Sequence, residues 1–141
     1  MSLQVPSDVV VRMIEPELLL QELASGRRIF LVDVRDGEEW SRLGHIAGAR
    51  HLPLRELRGR RAELSGLEGR SIVVVCGQGR CAREAAAVLA LGGFEEVEAL
   101  EGGMARWIER GFPIESAQDV RRSAISALGR PSGAGHAGRL P

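Results

Sequence analysis

The stretch SIVVVCGQGRCAREAAAVLALGG, residues 71–93, decides the fold. It opens on Ile72, Val73, Val74 and Val75, an unbroken run of β-branched apolar residues. Such a run reads as a strand buried on both faces, because a half-exposed strand would alternate apolar with polar side chains. Cys76 follows, then Gly77-Gln78-Gly79-Arg80-Cys81, then an Ala/Leu-rich helix over residues 82–91 closed by Gly92-Gly93. Open α/β sheets bind their ligands at the carboxyl ends of the strands, where this turn lies. Gly77 and Gly79 let the chain turn tightly and aim successive N–H groups inward. The helix start adds unpaired N–H groups and the positive end of its dipole. The expected result is a cradle for one anion, with the Cys76 thiol at its rim in surroundings that favour the thiolate. Cys76 is therefore the candidate nucleophile, and Gly77, Gln78, Gly79, Arg80, Cys81 and Ala82 form the candidate binding loop.

Outward from this stretch, strand and helix patterns alternate. Residues 9–13 read as a first strand. Pro16 at a helix start, with Leu18, Leu19, Leu20 and Leu23 behind it, predicts a helix that Ser25-Gly26 ends. Residues 29–34 are a second fully apolar strand and residues 36–43 a short helix stopped by Gly44. A brief strand is expected over residues 49–52. Leu54, Leu57, Ala62 and Leu64 lie among arginines, as on a surface helix. Residues 97–100 form a strand and residues 104–110 a last helix. Strands alternating with helices, the inner ones apolar throughout, predict an α/β domain whose parallel sheet carries helices on both faces. That domain occupies residues 1–114; residues 115–141 are an extension. In it Val120, Ala124 and Leu128 recur every fourth position, predicting a short C-terminal helix over residues 116–128 before a flexible Gly/Pro-rich tail.

Composition narrows the chemistry. The chain has 141 residues, the size of one domain, and its 19 basic and 19 acidic residues give zero formal net charge. A strong electrostatic hold on nucleic acid or anionic membrane is not expected. Every basic residue is Arg, and Lys, Thr, Asn and Tyr are absent from the sequence, which excludes a Lys Schiff base, a P-loop lysine, a Thr nucleophile and a Tyr acid. The Arg bias points to a GC-rich bacterial genome. Cys76 and Cys81 are too few for a secreted disulfide scaffold, and neither a signal peptide nor a membrane-spanning run is legible, so a reducing cytoplasm is expected. His51 and His136 show no ligand spacing, and no metal is expected.

A rival reading stays open on the residues alone. GQGRCA fits G-x-G-x-x-A after a strand, with Glu96 and Glu98 about 20 residues on, which is the dinucleotide fingerprint. It leaves Cys76 without a role and puts the fingerprint past mid-chain.

Three segments carry a resemblance. LVDVRDGEEWSRLGHIAGARHLP (residues 31–53), VVVCGQGRCAREAAAVLALGGF (residues 73–94) and VEALEGGMARWIERGFPI (residues 97–114) together resemble the single-domain rhodanese-like sulfurtransferases. The resemblance spans about residues 9–114. It implies a five-stranded parallel sheet flanked by helices on both faces. It also implies a persulfide cycle on Cys76, in which a small sulfur donor such as thiosulfate, or a protein persulfide, loads the cysteine. A thiol or cyanide then accepts the sulfur, and no metal or organic cofactor takes part. Related phosphatases and arsenate reductases need an Arg six positions after the cysteine; Ala82 stands there, which favours the narrower, sulfur-sized loop.

Two departures bear on the donor. Many relatives carry Arg directly after the catalytic cysteine and at the loop's last position; here these are Gly77 and Cys81. Fewer cations weaken recognition of a sulfonate, so poor thiosulfate turnover is expected, with Arg80 and Arg83 as the remaining docking groups. Cys81 reads either as a small side chain at the helix start or as a thiol that resolves the persulfide to a disulfide, which would make the domain a redox-sensing or interaction module. Asp33 and Arg35, after a buried strand, are expected to pair and support the loop. His45 reads as a turn-stabilising group, and Trp107, with Met104 and Ile108, as a core-facing residue with access to the mouth of the site.

Overall fold

The computed structural model describes residues 10–116. The expected C-terminal helix and tail, residues 117–141 in the main, lie outside the described residues. The strands are β1 (Arg12–Ile14), β2 (Ile29–Asp33), β3 (Arg50–His51), β4 (Ser71–Val75) and β5 (Glu96–Leu100). They form one sheet in the order β1-β5-β4-β2-β3, every pairing parallel. The helices are α1 (Pro16–Ala24), α2 (Gly37–Leu43), α3 (Leu57–Arg60), α4 (Arg80–Leu91) and α5 (Gly103–Glu109).

Strand periodicity splits the core in two. On β4, Ile72 and Val74 face one side, with Ala85, Ala86 and Leu89 of α4 and Leu57 of α3. Val73 and Val75 face the other, with Leu19 of α1 and Met104 and Trp107 of α5. Each of these four β4 side chains is 1% exposed or less, which is why the sequence shows no polar alternation there. Burying an apolar side chain of this size contributes roughly 1.5–3 kcal/mol relative to leaving it in water.

Four expected boundaries are corrected. The first strand is Arg12–Ile14 rather than residues 9–13, because these three residues are the ones that pair with Glu98–Leu100 of β5. Val10 is 87% exposed. The third strand is only Arg50–His51, at the opposite edge. The surface helix of residues 54–64 is broken into a 3-10 turn, the four-residue α3 and a second 3-10 turn. Leu57 and Leu64 are both fully buried, so this connection, otherwise largely exposed as expected, is pinned to the core at two points. Helix α4 begins at Arg80, earlier than expected, because Gly79 with φ 97° turns the chain directly into it.

The topology places the site. The chain leaves β2 toward β3 on one side of the sheet and leaves β4 toward β5 on the other. Between adjacent strands β2 and β4 the direction of travel therefore reverses, and such a reversal opens a crevice at their carboxyl ends. Asp33 ends β2, and Cys76 follows β4 directly.

Candidate functional site

The loop after β4 folds over Cys76. The Gly79 N–H donates to Cys76 Sγ at 3.0 Å and the Ala82 N–H donates to it at 3.2 Å. Gly79 adopts a left-handed φ that a side chain disfavours, and a Cβ there would stand 3.2 Å from the Gly102 nitrogen. These two amides, one from the turn and one from the first turn of α4, converge on the sulfur as the glycine spacing predicts. The thiol is not at the rim: Cys76 is 3% exposed, because the loop closes over the strand end. Sγ sits on the floor of the cradle, with its polar contacts drawn from the backbone.

A second support comes from the start of α5, which the sequence reading did not assign. The Met104 N–H donates to the Cys76 carbonyl at 2.7 Å and the Ala105 N–H to the Gly77 carbonyl at 2.8 Å. Two N–H groups that a helix start leaves unpaired are thus spent on the loop. Gly102 and Gly103, consecutive glycines with φ 76° and 62°, bring the helix start that close. The doubled glycine before a helix was the available signal.

Asp33 and Arg35 pair as expected, at 2.9 Å from Arg35 Nη2 to Asp33 Oδ2 with both side chains 1% exposed. Arg35 Nη2 also donates to the Gly44 carbonyl at 2.7 Å. Their bonds therefore fix the turn after α2, while Val34 between them extends the β2–β4 pairing by donating its N–H to the Val75 carbonyl at 2.8 Å. His45 holds that turn from the other side, exchanging backbone hydrogen bonds with Glu115 at 2.8 Å each way. Burial pushes its imidazole below the usual 6.5, although the Trp40 backbone, Glu115 and Asp33 oppose this. Trp40 stacks on His45 at 3.6 Å and on His51 at 4.7 Å between centroids. Trp107 does not reach the mouth of the loop: its Nε1 donates to the Pro113 carbonyl, and it packs edge-to-face on Phe112. Ile108, 38% exposed, is not a core residue.

Beside the loop lies a cleft of about 360 Å³ lined by Gln78, Gly79, Arg80, Arg83 and Glu101 among others. Arg80 and Arg83 therefore line one cleft together with the cradle's own Gly79. Cys81 is exposed and its thiol is raised, by partial burial first, then by the charges of Cys76 and Glu84. A Cβ on Gly77 would point toward Glu39 Oε2, 3.8 Å away, so this departure from the arginine-bearing pattern leaves a carboxylate next to the loop. Among the described residues no group of three or more His, Cys, Asp or Glu side chains is placed to hold a metal ion. Nor is any helix there long and apolar enough to cross a membrane.

Residues 15–110 match the rhodanese-like domain family. The chain belongs to that family. Its rhodanese-like domain is 40% identical over 100 residues to a thiosulfate sulfurtransferase, GlpE, of Ectopseudomonas mendocina, covering 70% of this chain and 85% of the relative. It is 38% identical over 116 residues to an HTH-type transcriptional regulator of Mycobacterium tuberculosis, covering 82% of this chain but only 48% of the regulator. The solution structure of a rhodanese-like domain from Anabaena sp. superposes with a TM-score of 0.67 at 31% identity, over 76% of this chain and 80% of that one. The dinucleotide reading is thereby overturned. Glu96 opens β5 and accepts a hydrogen bond from Ser71 Oγ at the amino ends of the strands, far from a phosphate turn at their carboxyl ends.

Proposed function

We propose that this rhodanese-like domain is an enzyme, a sulfurtransferase that carries a sulfane sulfur as a persulfide on Cys76. The observation that carries the reading is the pair of N–H groups, from Gly79 and Ala82, aimed at Cys76 Sγ. The Cys76 thiolate attacks the outer sulfur of thiosulfate or of a persulfide. The S–S bond of the donor breaks, and sulfite or a thiolate leaves with its electron pair. The outer sulfur of the new persulfide holds negative charge, which preorganised amides stabilise as an oxyanion hole does. A thiol or cyanide then takes that sulfur and returns Cys76 to the thiolate.

Roles follow from position. The backbone of Gly77, Gln78, Gly79, Arg80, Cys81 and Ala82 shapes the cradle, and the side chains of Arg80 and Arg83 dock the anionic end of the donor from the adjoining cleft. Asp33 and Arg35 support the site by fixing the neighbouring turn. The similarity to a thiosulfate sulfurtransferase supports the reaction class. The free thiols of Cys76 and Cys81 suit a reducing cytoplasm. The test is cyanide-dependent thiocyanate formation, present in the natural protein and lost in Cys76→Ser.

A second reading, a sensing or interaction module with little turnover, draws on Gly77 and Cys81 standing where arginines are expected. The similar segment in a transcriptional regulator supports it. Thiocyanate formation no faster than in Cys76→Ser would favour it.

A further inference from the structure

Cys81 is the other thiol of the loop, and the fold turns it back on Cys76. The Ala82 nitrogen that donates to Cys76 Sγ at 3.2 Å is joined directly to the Cys81 carbonyl carbon, so this bond holds the Cys81 backbone beside the sulfur. The charge of Cys76 is also among the influences that raise the Cys81 thiol, after its partial burial. Both are free thiols, Cys76 buried and Cys81 exposed. Only Gly77, Gln78, Gly79 and Arg80 separate them, and two of these four are glycines, so the connection can adjust to the strict geometry of a disulfide.

We propose that Cys81 is the resolving thiol of this loop: it attacks Cys76 Sγ whenever that sulfur carries a leaving group, and closes a Cys76–Cys81 disulfide. For sulfur chemistry this rests on the persulfide reading above. The Cys81 sulfur bonds to the inner sulfur of the persulfide, the inner–outer S–S bond breaks, and the outer sulfur leaves with the electron pair as hydrosulfide. The proton given up by Cys81 goes to that hydrosulfide. Cys81 is oxidised and the outer sulfur reduced. An external dithiol then exchanges with the disulfide, restores both thiols and becomes a disulfide itself. The domain thereby gains a second activity, release of sulfide at the expense of a dithiol. A hydroperoxide triggers the same closure: it oxidises Cys76 to a sulfenic acid, and attack by Cys81 expels water.

Two arms test this by intact mass. With an alkyl hydroperoxide, the reduced protein is expected to become two hydrogens lighter, reversed by dithiothreitol, while Cys81→Ser shows no such loss. This arm is independent of sulfur transfer, and absence of the loss in the natural protein overturns the proposal. With thiosulfate and no added thiol, the natural protein is expected to release sulfide and end two hydrogens lighter, whereas Cys81→Ser stays one sulfur heavier and releases none. A natural protein that stays one sulfur heavier overturns the sulfide-releasing step while leaving the sulfurtransferase reading intact. Failure of both proteins to gain sulfur, with the hydroperoxide closure present, instead counts against the sulfurtransferase reading alone.

Discussion

Gly103 stands so close to Cys76 that a Cβ on it would lie 2.5 Å from the Cys76 carbonyl oxygen. The approach lets the Met104 N–H reach that same oxygen, so the start of α5 acts as the floor of the sulfur loop. Gly103→Ala must both adopt a φ of 62° with a side chain and push the loop away. We expect a loss of about 1–3 kcal/mol in stability, the range for a strained backbone position. We also expect faster alkylation of Cys76 by iodoacetamide, because the loop that buries it is displaced. Urea unfolding and mass-resolved alkylation check the two effects separately.

The Asp33–Arg35 pair is buried with both side chains 1% exposed. Removing one partner leaves the other charged in a low-dielectric interior, so Asp33→Ala and Arg35→Ala should each destabilise by about 3–5 kcal/mol. An apolar double replacement, Asp33→Leu with Arg35→Met, should lose less than either single change. Chemical denaturation of all three variants tests this, and a double change that loses the sum of the two singles contradicts it.

His45 gives the fold a pH dependence of known sign. Its ring is buried and titrates below 6.5 in the folded state, so between those values the unfolded chain binds more protons than the folded one. Its contribution is present above pH 6.5 and is lost as pH falls through the folded value. His45→Gln should therefore flatten the fall in Tm on the acid side of that point. Thermal unfolding at several pH values, natural protein against variant, checks it; parallel profiles contradict the assignment.

Gly77 is where a cation is missing. A Cβ there meets only Glu39 Oε2 at 3.8 Å, an ordinary contact, and Gly77 has no positive φ, so the backbone accepts a side chain at this position, as in Gly77→Arg. One charge-assisted hydrogen bond to the sulfonate of thiosulfate should lower KM for that donor about tenfold, with a much smaller effect on a neutral donor. Steady-state kinetics with thiosulfate and with a neutral thiosulfonate ester separate docking from a general gain in reactivity.

What the sequence showed best was whatever burial writes into residue type. The apolar runs of β2 and β4 are legible because both faces of those strands are covered, and the glycines of the Cys76 turn are legible because side chains are excluded there. The short edge strands were not, since pairing and not residue type sets their length: β1 is only the three residues that meet Glu98–Leu100 of β5. Leu57 and Leu64 resemble one helix face in sequence, yet the chain between them breaks into separate short turns. The depth of Cys76 was hidden for a similar reason. It depends on the Gly102-Gly103 turn, distant in the chain, folding beneath the loop.

The central claim is that the inward-facing amides of Gly79 and Ala82 hold an added sulfur on Cys76. Intact-mass analysis after brief incubation with thiosulfate, followed by peptide mapping without reductant, tests it most directly. The expected result is a species one sulfur atom heavier, transient in the natural protein and lasting in Cys81→Ser, with that atom on Cys76 and none gained by Cys76→Ser. A natural protein that takes up no sulfur at any time point and releases no sulfide, or an equal gain in Cys76→Ser, would contradict it.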